Sequence, residues 1–269
     1  MILYADASGG VCTVHLTDGI NDQIIDQYRP LNSIYSYTLR RFGNQVYYIA
    51  EEYDEKTSVC RSALKQFDFE KKELTALHEE QITVREGKEG ELYLRDPIAP
   101  SITRSDNRLV YITLSEPVKS DIHILDTEKM KEEVISDNRM VTDAIVMKNY
   151  MMLSSTEYHD EGDLLLAEET HVIKNVKDGT ERTVGKGDSK TFLHQAYGSA
   201  DRQTGIRNNR MTVLYDRGSY TAFRETEDSD LKDIIDLYRD HDTYVCSKFL
   251  YDNSGKHTLH ITVFSLNQP

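Results

Sequence analysis

The sequence predicts an all-β chain, and three observations carry the prediction. Apolar residues come in short runs separated by turn residues, not in stripes at helical spacing. The aromatic content is 17 Tyr with 7 Phe and no Trp, which suits thin β layers whose phenols bury a ring and keep a hydroxyl wet. Above all, one hairpin phrase recurs along the 269 residues.

Taken in order, ILYAD, the Gly9-Gly10 turn, VCTVHL and the Asp18-Gly19 turn open the chain as a hairpin. IYSYTL (34–39) is a separate strand candidate. VYYIA (46–50) begins the first full phrase: a break over 51–57, the strand SALKQFDF (62–69), a charged turn over 70–73, then LTAL. RLVYITL, a break over 115–120, and DIHILD repeat it, with Asp126 standing after Leu125 as Asp68 stands after Phe67. YMMLS (150–154), a break over 158–162 and residues 163–167 form a weaker copy, closed by the Asp178-Gly179 hairpin signal. MTVLY (211–215), a turn over 216–219 and residues 220–224 form another. Residues 244–251, the Asn253-Ser254-Gly255 turn and 258–266 end the chain as an incomplete copy. Residues 100–104, 144–147 and 191–195 are further strand candidates.

The phrases begin at 46, 109, 150 and 211, so their spacing alternates between about 40 and 60 residues. The longer steps imply inserted loops, and 84–97 (VREGKEGELYLRDP) and 197–210 (YGSADRQTGIRNNR) are the expected insertions. Leu231, Ile234, Ile235 and Tyr238 repeat at helical spacing behind Asp228, so 231–238 is expected as a short helix, with a strand as the alternative.

Many short strands must each bury a face, and a closed ring of sheets leaves only short edges. The phrases VYYIA…ALKQFDFEKKELTAL and LVYITL…DIHILDTEKMKEEVI resemble the blades of bacterial β-propellers of the TolB-like and related domain-of-unknown-function type, in which the third strand ends on an aspartate before the outer strand. The resemblance implies a single β-propeller domain over 1–269 and a habit of binding, without a particular reaction. Five blades is the expected count, with six the alternative, the ring being closed by strands from both termini. The Gly-His and Trp-Asp marks of WD40 repeats and the Trp-containing boxes of sialidases do not occur.

The net charge of −14, spread along the chain, repels phosphate backbones and anionic lipid, so neither nucleic acid nor a membrane surface is an expected partner. No apolar run reaches the ~20 residues of a membrane span, and Met1 leads into ILYAD without the features of a signal peptide. Cys12, Cys60 and Cys246 are odd in number and lack paired spacing, which points to a reducing, cytoplasmic setting. Buried structural thiols are the expectation for Cys12 and Cys246.

Candidate sites are few. Residues 157–163 (EYHDEGD) gather acids and a histidine, but their spacing is not that of a calcium loop, and a solvated hairpin tip is the ordinary reading. Arg239-Asp240-His241-Asp242 is a second such set, and His257 and His260, three apart on a strand, point to opposite faces. No metal site and no cofactor are expected. Nucleophile-elbow, zinc-helix, P-loop and dinucleotide motifs do not occur.

The expected function is a non-catalytic module holding a protein segment or a small, basic ligand on its loops. Tyr35, Tyr37, Tyr47, Tyr48, Tyr93, Arg95, Tyr197 and Arg202 are the candidate contacts, although the tyrosines also suit packing between blades. The alternative is a carbohydrate-active hydrolase or lyase, which needs two opposed carboxylates; Asp6, Asp96, Asp106 and Asp143 are the candidates.

Overall fold

The computed structural model describes residues 2–30, 39–83, 97–99, 101–115, 119–160, 165–186, 192–234, 236–240, 243–251 and 257–265. These residues form 22 strands, arranged as consecutive antiparallel meanders with one parallel ladder between two of them. The first unit is β1 (Ile2–Ser8), β2 (Val11–Thr17) and β3 (Asp22–Tyr28). The second is β4 (Arg40–Phe42), β5 (Gln45–Asp54), β6 (Val59–Asp68) and β7 (Glu73–Thr83). β8 (Thr103–Ser105), β9 (Arg108–Ser115), β10 (Lys119–Asp126) and β11 (Lys131–Asp137) make the third. β12 (Val141–Val146), β13 (Tyr150–Asp160), β14 (Leu165–Asn175) and β15 (Glu181–Lys186) make the fourth. The fifth contains β16 (His194–Ser199), β17 (Arg202–Arg207), β18 (Arg210–Asp216) and β19 (Thr221–Glu225). The last contains β20 (Asp236–Asp240), β21 (Thr243–Tyr251) and β22 (His257–Ser265).

The units pack face to face in chain order, and in the second, third and fourth units the second strand is apolar on both sides. Along β9, Leu109 and Tyr111 face the second unit while Val110, Ile112 and Leu114 face the fourth. β5 does the same, with Tyr47 and Ile49 toward the third unit and Tyr48 and Ala50 toward the first. In β13, Met151 and Leu153 meet the third unit, whereas Tyr150 and Met152 meet the fifth. Such strands read as unbroken apolar runs because a period of two fills both faces. This is the face-to-face stacking of propeller blades. Ring closure has no counterpart in the strand pairing: among the described residues no ladder joins β1–β3 to β20–β22.

One ladder departs from the meander rule. The short inner strands β8 and β16 pair in parallel, Tyr197 with Arg104 and Gly198 with Ser105, which fuses the third and fifth units into an eight-stranded sheet.

The repeated aspartate has a definite local role. Asp68 Oδ1 accepts from the backbone N–H of Glu70 and Lys71 (2.9 and 3.1 Å), and Asp126 Oδ1 accepts from Glu128 and Lys129 (3.1 and 2.9 Å). Asn175 and Asp18 close their own turns in the same way. These side chains replace the missing ladder bonds of the turn, and the backbone bonds lower the carboxyl pKa of Asp18 to about 2. The turns of Asp68, Asp126 and Asn175 are also tied to the preceding inner turn: the carbonyls of Asn44, Asn107 and Asn149 accept from Phe69, Thr127 and Val176 at 2.8–2.9 Å. These three outer turns and the inner turns they bond therefore lie at one end of their units.

Three expectations need correction. Residues 197–210 are not an inserted loop; they are the end of β16, all of β17 and the turn before β18. Their polar look comes from crowding, because Gln203 and Thr204 are buried and a Cβ on Gly205 would meet the His194 carbonyl at 2.5 Å. Residues 231–238 are not a helix: a 3-10 turn, Ser229–Leu231, leads into β20, and Leu231, Ile234 and Leu237 pack against Ile206 and Met211 of the fifth unit. The breaks are also shorter than expected, since β5 continues to Asp54 and β13 to Asp160. The other expected insertion, 84–97, and IYSYTL lie outside the described residues except for Pro97 and Leu39.

Candidate functional site

The end marked by the inner turns holds a cleft of about 670 Å³. Four units contribute to it: Arg41 to Gln45 from the β4–β5 hairpin, Arg104 to Asn107 from β8 and its turn, Tyr197 to Ser199 with Arg202 and Thr204 from the fifth unit, and Tyr244 from β21. The parallel β8–β16 ladder brings Arg104 and Tyr197 side by side, although 93 residues separate them in the chain.

The floor is aromatic. Phe42 packs on Tyr197 and Tyr47, with ring centroids 5.5 and 5.7 Å apart. Arg104 lies over the Phe42 ring at 5.6 Å, donates from Nε to the Asp106 carbonyl at 2.7 Å, and approaches the Phe42 carbonyl at 3.4 Å. Backbone bonds and the ring contact thus hold this guanidinium in place. Arg41 is fixed in the same manner, by the Gly43 carbonyl at 2.9 Å and the Phe69 ring at 5.1 Å.

The acids of the cleft are committed elsewhere. Asp68 closes its turn, and hydrogen bonds from Lys71 and Glu70 hold its carboxyl below the ordinary range despite some burial. Glu70 accepts from the Asn44 amide at 2.6 Å. Asp106, at φ 53°, accepts from the Ala200 N–H at 2.8 Å and so ties the third unit to the fifth. Among the described residues, neither Arg104 nor Arg202 forms an ion pair with a carboxylate. The cleft is thus lined by three arginines and three carboxylates, the carboxylates being engaged by turn and amide donors.

Of the residues expected as contacts, Tyr197 and Arg202 line this cleft. Tyr47 lies beneath it, fully buried, and donates to Gln45 Oε1 at 2.7 Å. Tyr48 is on the opposite face of β5, buried between the first two units, where its hydroxyl donates to Asp26 at 2.8 Å beside Lys65 at 2.7 Å. Burial and the Asp26 charge push its phenol far up. Tyr35, Tyr37, Tyr93 and Arg95 lie outside the described residues. Sequence reasoning passed over Arg41, Phe42 and Arg104. A signal for two of them existed, since Arg41-x-x-Asn44 and Arg104-x-x-Asn107 share one spacing at equivalent inner turns.

The carboxylate candidates do not converge. Asp6 sits on β1, Asp106 is in the cleft, and Asp96 lies outside the described residues. Asp143 accepts from the Ser101 hydroxyl and stands 3.8 Å from His194 Nδ1, at the end of β8 away from the cleft. The serine donates to the carboxylate, whereas in a serine–histidine relay the hydroxyl donates to the imidazole. His159 stands 3.5 Å from Glu168 across the β13–β14 hairpin, and Arg239 and Asp240 fall on β20. Among the described residues no three His, Cys, Asp or Glu side chains are grouped to hold a metal ion. Cys12, Cys60 and Cys246 are all buried thiols, and burial raises the pKa of Cys12 and Cys246. No helix among the described residues is long and apolar enough to cross a membrane.

No family model and no curated protein matches the chain. Solved structures do. The β-propeller domain of the Trilobed protease from Pyrococcus furiosus is similar over 100% of this chain and 86% of its own, at 12% identity and a TM-score of 0.46. The polysaccharide lyase Uly1 is similar over 83% of this chain and 56% of its own, at 10% identity and a TM-score of 0.48. TolB from Acinetobacter baumannii is similar over 93% of this chain and 59% of its own, at 10% identity and a TM-score of 0.41. These are resemblances of shape to propeller-containing and other proteins of different activity, and they assign none of those activities to this chain.

Proposed function

We propose that the protein is a non-catalytic binding module whose ligand site is the cleft at the inner-turn end. The observation that carries this reading is the fixed geometry of the cleft: Arg104 is held by two backbone carbonyls and a ring of the protein itself. Its volume suits a small ligand or the end of a protein segment. Tyr197 and Arg202 are its expected contacts, and the fixed guanidinium of Arg104 favours an anionic group there over the basic ligand that the net charge suggests. The overall negative charge continues to argue against nucleic acid and anionic membranes as partners, and the buried thiols suit a cytoplasmic setting.

The separation of Asp106 from Asp143, and the engagement of Asp68, Glu70 and Asp106 by turn and amide donors, support binding over glycoside chemistry. Ser101, which holds Asp143, precedes β8 and Asp106 follows it, a step of five residues that spans up to roughly 16 Å at ~3.3 Å per residue. Opposed glycosidase carboxylates stand no more than about 9.5 Å apart. The same reading takes the six units as blades of one ring, the free faces of the first and last meeting at the seam. Leu259, Ile261 and Val263 on β22 and Ile2, Tyr4 and Ile24 on the first unit are the exposed apolar residues that such a seam covers.

The test is a ligand screen by NMR on the full chain, using mixed small metabolites and short peptides. Ligands that perturb the amides of Tyr197, Arg202 and Thr204 and are recovered unchanged are the expected result. Binding confined to other surfaces, or conversion of a bound ligand to product, overturns it.

A further inference from the structure

We propose that the cleft is a carboxylate site, taking a single carboxylate attached to an apolar or aromatic group; this rests on the binding-module reading above. Two features point to a carboxylate. First, Arg104 has spent its Nε and one terminal nitrogen on backbone carbonyls with the Phe42 ring beside it at 5.6 Å, and Arg202 lines the same cleft without a carboxylate partner among the described residues. A planar, already oriented guanidinium suits the fork of a carboxylate better than a mobile ammonium does. Second, the cleft is lined by equal numbers of arginines and acids, and the acids Asp68, Glu70 and Asp106 are engaged by turn and amide donors, not by the arginines.

That balance selects against a dianion. A phosphate carrying close to two charges meets three fixed carboxylates at the same rim, whereas a monoanion takes the guanidinium with half the repulsion. The floor of Phe42 and Tyr197 then offers an apolar surface to whatever carries the carboxylate. Two sources share this chemistry: the free C-terminal end of a peptide, and a small aromatic or aliphatic acid.

The experiment titrates the full chain, followed by NMR and calorimetry, with an N-acetylated tripeptide ending in phenylalanine as the free acid, the same peptide as its amide, benzoate, and inorganic phosphate. The free acid is expected to bind about tenfold more tightly than the amide, with shifts at Tyr197, Arg202 and Thr204. Benzoate binding as well as the free-acid peptide marks a small acid as the source; tighter binding of the peptide marks a chain end. Arg202→Gln is expected to weaken the acid about tenfold, while Arg224→Gln, on the exposed side of β19, leaves it unchanged. Arg104→Gln loses two backbone bonds and is read only if its melting curve matches the wild type; the comparison of acid with amide on the wild-type chain needs no variant. Equal binding of acid and amide, binding of phosphate alone, or no binding of either acid overturns the carboxylate assignment. The parent reading fails separately: if the acid binds in the cleft and is chemically converted, the module is an enzyme but the carboxylate site stands. If neutral ligands alone bind there unchanged, the module stands and the carboxylate assignment falls.

Discussion

Gly205→Ala tests whether residues 197–210 belong to the packed interior. Gly205 lies in β17, paired with Thr212 of β18 on one side and facing an irregularity of β16 on the other. At that irregularity Gln195 takes φ 51°, and its side chain accepts from the Leu237 N–H at 2.7 Å, which fixes the bulge against the last unit. An added methyl would stand 2.5 Å from the His194 carbonyl and 2.8 Å from Leu193 Cγ. It is about 0.9 Å short of an ordinary 3.4 Å contact with backbone, which cannot swing away as a side-chain end can. Overpacking of this kind costs about 1–3 kcal/mol. A lost bulge hydrogen bond adds about 1 kcal/mol, so the expected destabilisation is about 3 kcal/mol. At roughly 2–4 °C per kcal/mol for a chain of this size, the melting temperature should fall by about 6–12 °C. Urea denaturation and calorimetry at pH 7 measure both quantities. Gly218→Ala is the comparison: it has φ 79° but nothing within 4 Å, so only about 1 kcal/mol of backbone strain is expected. If Gly205→Ala stays within about 0.5 kcal/mol of the wild type, the segment behaves as a surface loop and the packed-hairpin account is wrong.

Tyr48→Phe removes a hydrogen bond to Asp26 while Lys65 still holds that carboxylate, so a loss of about 1.5–2 kcal/mol is expected in chemical denaturation, with ligand binding unchanged. Altered ligand affinity at unchanged stability would instead place Tyr48 in the site. His123, stacked on Tyr111 at 4.6 Å and bonded to Thr113 at 2.9 Å, has its pKa lowered below 6.5 because burial outweighs the pull of Glu132. Its protonation is therefore more costly in the folded state, and stability should decline as pH falls from 6.5 through the folded pKa; His123→Gln should flatten that limb, and an unchanged limb in pH-dependent denaturation counts against the assignment. Val263→Asp probes the seam: if the outer face of β22 is covered in solution, the substitution costs about 2–3 kcal/mol, whereas an open face tolerates it within about 0.5 kcal/mol.

The legibility of this chain follows from how many constraints act locally. The hairpin phrases around Tyr47 and Tyr111 were readable because strands buried on both faces are apolar throughout. Asp68 and Asp126 were readable as a repeat because a turn needs a short acceptor at a fixed offset. β17 was not readable, since a strand crowded by a bulge carries Gln203, Thr204 and Gly205 in place of branched apolar residues. The 231–238 stretch misled for a related reason: Leu231, Ile234 and Leu237 meet one partner surface through a turn followed by a strand, and that spacing imitates a helix.

By itself the sequence determined the β class, the recurrent hairpin, the capped turns and the acidic surface, because each follows from neighbouring residues or from composition. The tertiary structure alone decided which polar residues form the cleft. Arg41, Arg104 and Arg202 lie on three different units, and only the parallel pairing of β8 with β16 brings Arg104 beside Tyr197. Tyr47 and Tyr48 make the same point from adjacent positions: alternation along β5 turns one toward the cleft floor and the other into the first seam, with each side's partners supplied from elsewhere in the chain.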